Sequence, residues 1–389
     1  MERQPGLLMY CQHSLGLGHL ARTWALADAL SSRFHVVLAS GGERPRGLQP
    51  PPIEMLDLPP VAQTLDGRLT PTDGAAPVDD VLHERARILC AAVHTLRPQV
   101  VVIELFPFGR RKFRREILAL LDEARRLTRP VIATSVRDLL VRRGADQVEH
   151  DDRVRQILDA HFDLVLVHGD PAFARLEDTF TPSVASRVPV HYTGFVVPAD
   201  TVAGCGGARR GIVVSGGGGR FAESLYLTAI DAHARLGPVR PPMTIVAGPL
   251  CPSDTLERVR RAAAPSADIV IESTVNDLCG MLETAALSIS QCGYNTALDI
   301  VRARVPAIVV PFADNGDSEQ ADRARRLERL SAVRVFDGAL DGAALCAAMK
   351  RAFAFVPTAP ALDLGGAATT IDILKQALAD KCVLEAARS

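Results

Sequence analysis

The feature that most constrains this chain is a repeated alternation of short, continuously apolar runs with longer stretches of helical periodicity. Runs such as VVVIE, DLVLVH, GIVVS and AIVVP carry no polar residue at every second position. They read as strands covered on both faces, and such strands occur in parallel sheets whose neighbours are joined by helical crossovers. Candidate strands lie at 7–11, 35–40, 100–104, 130–135, 163–168, 211–215, 243–247, 268–272, 287–290, 306–311 and 332–336. Candidate helices between them include 20–32, 81–96, 113–127, 221–235, 294–303, 319–330 and 369–380. The fold class predicted is α/β, with doubly wound parallel sheets and right-handed crossovers.

At 389 residues the chain exceeds one such sheet and predicts two domains. The seam is PADTVAGCGGARR, 198–210, which lacks apolar periodicity and is followed at once by the strand GIVVS. The expected division is a Rossmann-like domain over 1–198, a linker or hinge over 199–210, and a second Rossmann-like domain over 211–389. The last helical stretch, 369–385, either stays with its own domain or crosses back to the first. The proline-rich segment 41–78 reads as a long irregular loop over the mouth of the first domain.

Composition excludes several classes. Hydrophobic residues make up 48% and charged residues 23%, which rules out a largely disordered chain. Forty-four basic against 45 acidic residues leave no global field that would draw the chain to nucleic acid, so no nucleic-acid partner is expected. The eight cysteines are scattered singly, with neither a zinc-ribbon pattern nor a disulfide scaffold, and no metal site is expected. The start, MERQPGLLMYCQ, has an apolar run of about six residues, too short for the core of a signal peptide, and no later run is long enough to span a bilayer. A cytoplasmic protein is the expectation. The run Gly109-Arg110-Arg111-Lys112-Phe113-Arg114-Arg115 reads as the solvated start of a surface helix, or as a patch (110–115) for peripheral contact with anionic lipid or a charged acceptor.

The first strand runs into Gln12-His13-Ser14-Leu15-Gly16-Leu17-Gly18-His19, where a helix begins. Glycines at such a turn let backbone approach a phosphate, and the helix N-terminus adds unpaired N–H groups. Gly16, Gly18 and Ala21 formally fit G-x-G-x-x-A, but Gln12–Leu15 intervene before Gly16 and the second strand ends in Ser40 rather than a ribose-binding acid. No dinucleotide or other cofactor is expected. His19 stands where open α/β sheets bind ligands and reads either as a base for a hydroxyl nucleophile or as a loop histidine. Glu104, closing VVVIE, could orient a protonated His19 or be a simple loop carboxylate, and Asp138 is a reserve acid of the same kind.

The second half opens with GIVVS and then Gly216-Gly217-Gly218-Gly219-Arg220, a phosphate-cradling turn by composition. The densest signal is 287–323, LSISQCGYNTALDIVRARVPAIVVPFADNGDSEQADR. After Gln291-Cys292-Gly293 a helix starts at Tyr294 with Asn295 and Thr296 in its first turn, where amide and hydroxyl groups add to phosphate binding. Asp299 shares their face and could hold a ribose diol. Glu319 and Gln320 open a further helix and suit the hydroxyls of a sugar.

These stretches resemble the donor-binding signature of GT-B glycosyltransferases. Q-C-G-Y-N-T-A-L-D is similar to the H-C-G-W-N-S-x-x-E core of UDP-sugar-dependent members, and P-x-x-x-x-P followed by E-Q to their P-x-x-x-x-P…D-Q. The opening G-L-G-H resembles the glycine loop of glycosyltransferase family 28, which includes the enzyme that makes lipid II. GLGHLART with EQADRARRL most resembles a bacterial set of predicted glycosyltransferases. The resemblance implies a GT-B fold, two Rossmann-like domains facing across a cleft. It implies an inverting, metal-independent transfer from a UDP- or dTDP-sugar to a small-molecule or lipid-linked acceptor. It assigns His19 as general base and Glu104 as its orienting acid, with Gly16 and Gly18 of the first glycine loop among the donor-binding residues. Gly216, Gly217, Gly218 and Gly219 correspond to the diphosphate loop, and Cys292, Gly293, Asn295 and Thr296 to phosphate ligands. Asp299 corresponds to the ribose acid, and Glu319 and Gln320 to the sugar-hydroxyl ligands. Gln291 stands where the signature has His, and Glu104 and Asp299 each differ by one methylene from the commoner acid. A nucleotide-sugar hydrolase with the pattern Gly16, Gly18, His19, Arg22, an epimerase, and a non-catalytic sugar-nucleotide-binding module share the fold and remain alternatives.

Overall fold

The computed structural model describes every residue except 1–3, 14–15, 46, 65–66, 73, 75, 143, 199–207, 313–318 and 388–389. Most of the segment read as a hinge, 199–210, therefore lies outside the described residues. The chain divides into two compact units, one of 1–44, 50–199 and 362–389, the other of 45–49 and 200–361.

The first unit runs β1 (Gly6–Cys11), α1 (Gly18–Ser31), β2 (His35–Ser40), β3 (Glu54–Asp57), β4 (Val61–Gln63), β5 (Leu69–Pro71), α2 (Val78–Leu96), β6 (Val100–Glu104), α3 (Arg114–Leu127), β7 (Val131–Arg137), α4 (Gln147–His161), β8 (Leu164–His168) and β9 (Val190–Tyr192). Its main sheet has the order β3-β2-β1-β6-β7-β8-β9, all parallel. The continuous apolar runs are explained by burial of both strand faces: Leu7, Leu8, Val101, Val102, Ile132 and Ala133 are all sealed from solvent.

The second unit runs β10 (Ile212–Ser215), α5 (Glu223–Ala234), β11 (Met243–Val246), α6 (Ser253–Ala263), β12 (Ile269–Glu272), α7 (Leu278–Thr284), β13 (Leu287–Ser290), α8 (Tyr294–Ala303), β14 (Ala307–Val309), α9 (Glu319–Arg329), β15 (Arg334–Val335) and α10 (Gly342–Ala352). Its sheet is parallel throughout, in the order β12-β11-β10-β13-β14-β15. The final helix, α11 (Gly366–Ala386), packs on α1 and β7 of the first unit, and Lys381 Nζ donates to the Pro130 carbonyl at 2.8 Å.

Each sheet reverses its winding once, between β1 and β6 in the first unit and between β10 and β13 in the second. Ligands of open α/β sheets bind outside the strands' carboxyl ends at such reversals. His19 and Glu104 follow β1 and end β6, and the four-glycine turn and the start of α8 follow β10 and β13.

The segment 41–78 departs from the loop reading. It contributes β3 to the sheet edge and folds β4 and β5 into an antiparallel hairpin. Short strands of three or four residues, interrupted by prolines, leave too few positions for a period to show. Helices α4, α6, α7 and α10 lie outside the candidate ranges; α6 carries charge on most of its solvent-facing positions, which masks a narrow apolar stripe.

Candidate functional site

In the first unit, His19 Nδ1 lies 2.5 Å from Glu104 Oε1. A carboxylate can only accept, so the proton sits on Nδ1 and Nε2 carries the lone pair, with no partner among the described residues. Glu104 is almost wholly buried and fully used: Oε1 also accepts from Arg22 at 2.8 Å, and Oε2 accepts from Arg110 at 3.2 Å. The imidazole keeps partial exposure, its side chain 15% accessible. Thr23 Oγ1 donates to the His19 carbonyl at 2.8 Å within the first turn of α1.

Local backbone explains how the clamp is assembled. The chain leaves β6 through Leu105 (φ 64°) and re-enters a left-handed conformation at Arg110 (φ 58°). Side chains other than glycine seldom adopt these values, and such residues cluster at functional sites. The turn sends Arg110 inward to Glu104, while Arg111, Lys112, Arg114 and Arg115 stay exposed and Phe113 enters the core. The basic run is thus divided: one member belongs to the site and four belong to the surface. Asp138, one residue beyond β7, is buried but does not touch His19; Glu104 occupies that position.

Burial pushes the His19 imidazole down to about 3, against the pull of Glu104 and with the help of Arg137 and Arg110. Burial would raise Glu104, but His19, Arg110 and Arg22 together hold its carboxyl below the usual range. The direction common to both is a neutral imidazole beside an ionised carboxylate, which is the resting state of a general base. Cys11, behind the dyad, has its thiol pushed up to about 12 by burial and by Glu104, so it is no nucleophile.

A second buried cluster escaped sequence reasoning. Arg85 is sealed from solvent and donates to Glu116 Oε2 and Oε1 (2.9 and 2.7 Å), Gln12 Oε1 (2.6 Å) and the Gly41 carbonyl (2.8 Å). Tyr10 adds a hydroxyl donated to Glu116 Oε1 at 2.5 Å. These contacts fix the chain entering the first glycine loop. Arg85 sits within an ordinary amphipathic helix, and no local pattern marks it. Gly16 and Gly18 lie exposed on that loop, and a Cβ on Gly16 would meet nothing within 4 Å.

In the second unit, packing accounts for much of the glycine turn. A Cβ on Gly216 would lie 2.1 Å from Ala222 Cβ, and one on Gly219 (φ +86°) 1.9 Å from the Ala247 carbonyl oxygen. The Gly216 N–H donates to Tyr226 Oη at 3.1 Å, and Gly218 accepts from Leu250 N–H at 2.8 Å. Gly217 (φ +60°) is the exposed member, its Cβ position 3.8 Å from Thr296 Oγ1, so the turn and the first turn of α8 adjoin. Arg220 is half-buried.

Helix α8 begins after Gly293, has no side-chain cap, and leaves open space where a Cβ on Gly293 would be. Asn295 is half-buried and Thr296 buried in its first turn. Asp299, one turn on, is half-buried; burial pushes its carboxyl up to about 7, with Arg302 lowering and Asp277 raising it. Behind the turn, Gln320 Oε1 accepts from the N–H groups of buried Cys292 (3.0 Å) and Phe312 (3.1 Å). Arg323 donates to the Cys292 carbonyl at 3.0 Å and to buried Glu319 at 2.6 Å. Glu319 and Gln320 therefore brace the Gln291–Gly293 turn through Arg323 and the backbone. Among the described residues no group of three acidic, His or Cys side chains could hold a metal ion, and no helix is long and apolar enough to cross a membrane.

Residues 258–352, which include Cys292 through Gln320, match the glycosyltransferase family 28 C-terminal domain. No curated protein matches the sequence. Among solved structures, MurG of Acinetobacter baumannii is 14% identical with a TM-score of 0.57, over 96% of this chain and 100% of that one. The glycosyltransferase VinC in complex with dTDP is 14% identical with a TM-score of 0.54, over 98% of each chain. A protein described as a UDP-N-acetylglucosamine 2-epimerase from Listeria monocytogenes is 10% identical with a TM-score of 0.59, over 94% of each. Likeness at such identity establishes architecture, and one architecture serves several reactions. The chain has the GT-B fold, and within it residues 258–352 are similar to the glycosyltransferase family 28 C-terminal domain.

Proposed function

We propose that the chain is an inverting, metal-independent glycosyltransferase that moves a sugar from a UDP- or dTDP-sugar to an acceptor hydroxyl. The observation that carries this reading is the His19–Glu104 pair, with its proton on Nδ1 and its Nε2 lone pair partially exposed. The acceptor hydroxyl gives its proton to Nε2 as its oxygen attacks the anomeric carbon on the face opposite the nucleotide. The bond from that carbon to the diphosphate breaks, and the electron pair leaves with the diphosphate. Glu104 stabilises the imidazolium so formed. Within the second unit, the glycine turn and the start of α8 are the groups suited to the departing negative charge. The fold's occurrence with dTDP in VinC is in keeping with such a donor.

The test is calorimetric titration with UDP, dTDP, GDP and NAD, followed by incubation with UDP- and dTDP-sugars with and without a panel of alcohol and lipid-linked acceptors. Binding of UDP or dTDP, with sugar transferred only when acceptor is present and lost in His19→Ala, supports the reading. Rapid release of free sugar without acceptor replaces it by a hydrolase, and binding of NAD alone overturns it.

A further inference from the structure

The second unit carries an aromatic pair that the glycine turn and α8 do not explain. Phe221 and Phe312 stack face to face, centroids 5.2 Å apart and planes 14° from parallel. Phe221 keeps 36% of its surface exposed. The rings come from different strand ends: Phe221 follows the glycine turn after β10, and Phe312 follows β14. Strand β13 lies between those two in the sheet, so the stack bridges the carboxyl end of β13, at the Gln291–Gly293 turn that starts α8. Two carboxamides pin both backbones there. Gln291 Nε2 donates to the Phe221 carbonyl at 3.1 Å, and the Phe312 N–H donates to Gln320 Oε1 at 3.1 Å. An exposed ring held by its backbone in this way gains little from folding, which marks it as a contact surface.

Resting on the donor reading above, we propose that the Phe221–Phe312 stack is the wall on which the C–H face of the donor hexose lies, making Phe221 a specificity-determining residue for the sugar. The order of groups along α8 fixes the assignment. A diphosphate at the helix N-terminus with its ribose on Asp299, one turn inward, has its sugar on the opposite side, toward Gln291 and the rings. The π-face is the negative part of the ring quadrupole. It attracts the weakly positive C–H hydrogens of a pyranose and gives nothing to a diphosphate. The wall thus acts on the part of the donor that is transferred.

The experiment compares wild type with Phe221→Ala and Phe221→Tyr by calorimetry, using UDP, dTDP, UDP-glucose, UDP-N-acetylglucosamine and dTDP-glucose. Phe221→Ala is expected to weaken the sugar-bearing ligands about tenfold while UDP and dTDP change by less than about twofold. Phe221→Tyr, which keeps the ring, is expected to retain both affinities. Phe221 is exposed, and unchanged UDP or dTDP binding doubles as the check that the unit is folded. Equal losses for the diphosphates and their sugars would overturn the proposal alone, since the ring would then serve the nucleotide or the turn; so would no loss for any sugar. Failure of wild type to bind either diphosphate would overturn the donor reading and this proposal with it.

Discussion

His19 and Glu104, 85 residues apart in sequence, meet at 2.5 Å because β1 and β6 are neighbours across the winding reversal of the first sheet. The oxygen that receives the histidine proton also receives Arg22 at 2.8 Å, so the carboxylate is oriented before the imidazole is. Arg110 holds its second oxygen, which prevents rotation about the last side-chain bond. A base presented this way has one tautomer and one direction.

His19→Ala is expected to lower kcat for transfer by about 10²- to 10⁴-fold, the range for loss of a positioned general base. The Kd for UDP or dTDP should stay unchanged, because those ligands are assigned to the other unit. Glu104→Gln should also reduce kcat, and because it takes the carboxylate from Arg22 and Arg110 it should lower stability as well. Steady-state kinetics with calorimetry separates these effects, and an undiminished kcat in His19→Ala would remove His19 from the reaction.

Acid should unfold the first unit through the same pair. An unfolded chain binds a proton at His19 near 6.5, whereas the folded chain binds it near 3. Glu104 binds its proton near 4.5 unfolded and lower when folded. In both cases the unfolded state holds more protons across the interval, so stability falls as pH falls, beginning near 6.5 for His19 and deepening below 4.5 with Glu104. Urea midpoints measured from pH 7 to pH 4 should drop less steeply in His19→Gln than in wild type. Parallel curves would mean that His19 takes up its proton as readily folded as unfolded.

The sequence carried the architecture well because buried parallel strands are written as unbroken apolar runs. VVVIE begins and ends in the structure where its composition changes. The edge strands β3 and β9, four and three residues long, have no such signature. Residue types and turn positions placed His19, Glu104, the glycine turn and Asn295 to Asp299 at strand ends near the two reversals. What composition could not convey was commitment. Nothing in E-Q before A-D-R shows that Glu319 faces Arg323 or that Gln320 holds two backbone N–H groups, since both depend on how α9 meets the Cys292 turn. Arg110 looked like its basic neighbours and is separated from them only by a left-handed turn.

Nucleotide binding should depend on pH through Asp299. Burial raises its carboxyl to about 7, so much of it is protonated at neutral pH in the unliganded chain. Two ribose hydroxyls donate best to the ionised form, so affinity for UDP is expected to rise between pH 6 and 8, by at most about tenfold per pH unit. Asp299→Asn should bind more weakly and lose that part of the slope. Because the ligand's own phosphate titrates in the same range, the informative quantity is the difference between the two proteins. Identical slopes would detach Asp299 from the ribose.

The Arg85 cluster gives the sharpest expectation for stability. Glu116 has the guanidinium as its charged partner, at 2.7 and 2.9 Å, in a site without solvent. Arg85→Met leaves that carboxylate buried, along with Gln12 and the Gly41 carbonyl that Arg85 also served. Removing one member of a buried pair costs about 3–5 kcal/mol, chiefly as desolvation of the group left behind. The single variant is therefore expected to lower the unfolding free energy by that amount. Replacing both, as Arg85→Met with Glu116→Leu, should recover most of the loss, since the uncompensated charge is gone and the volume is kept. Urea unfolding of wild type, both single variants and the double closes the cycle, and additive losses would show that the two side chains do not act as a pair.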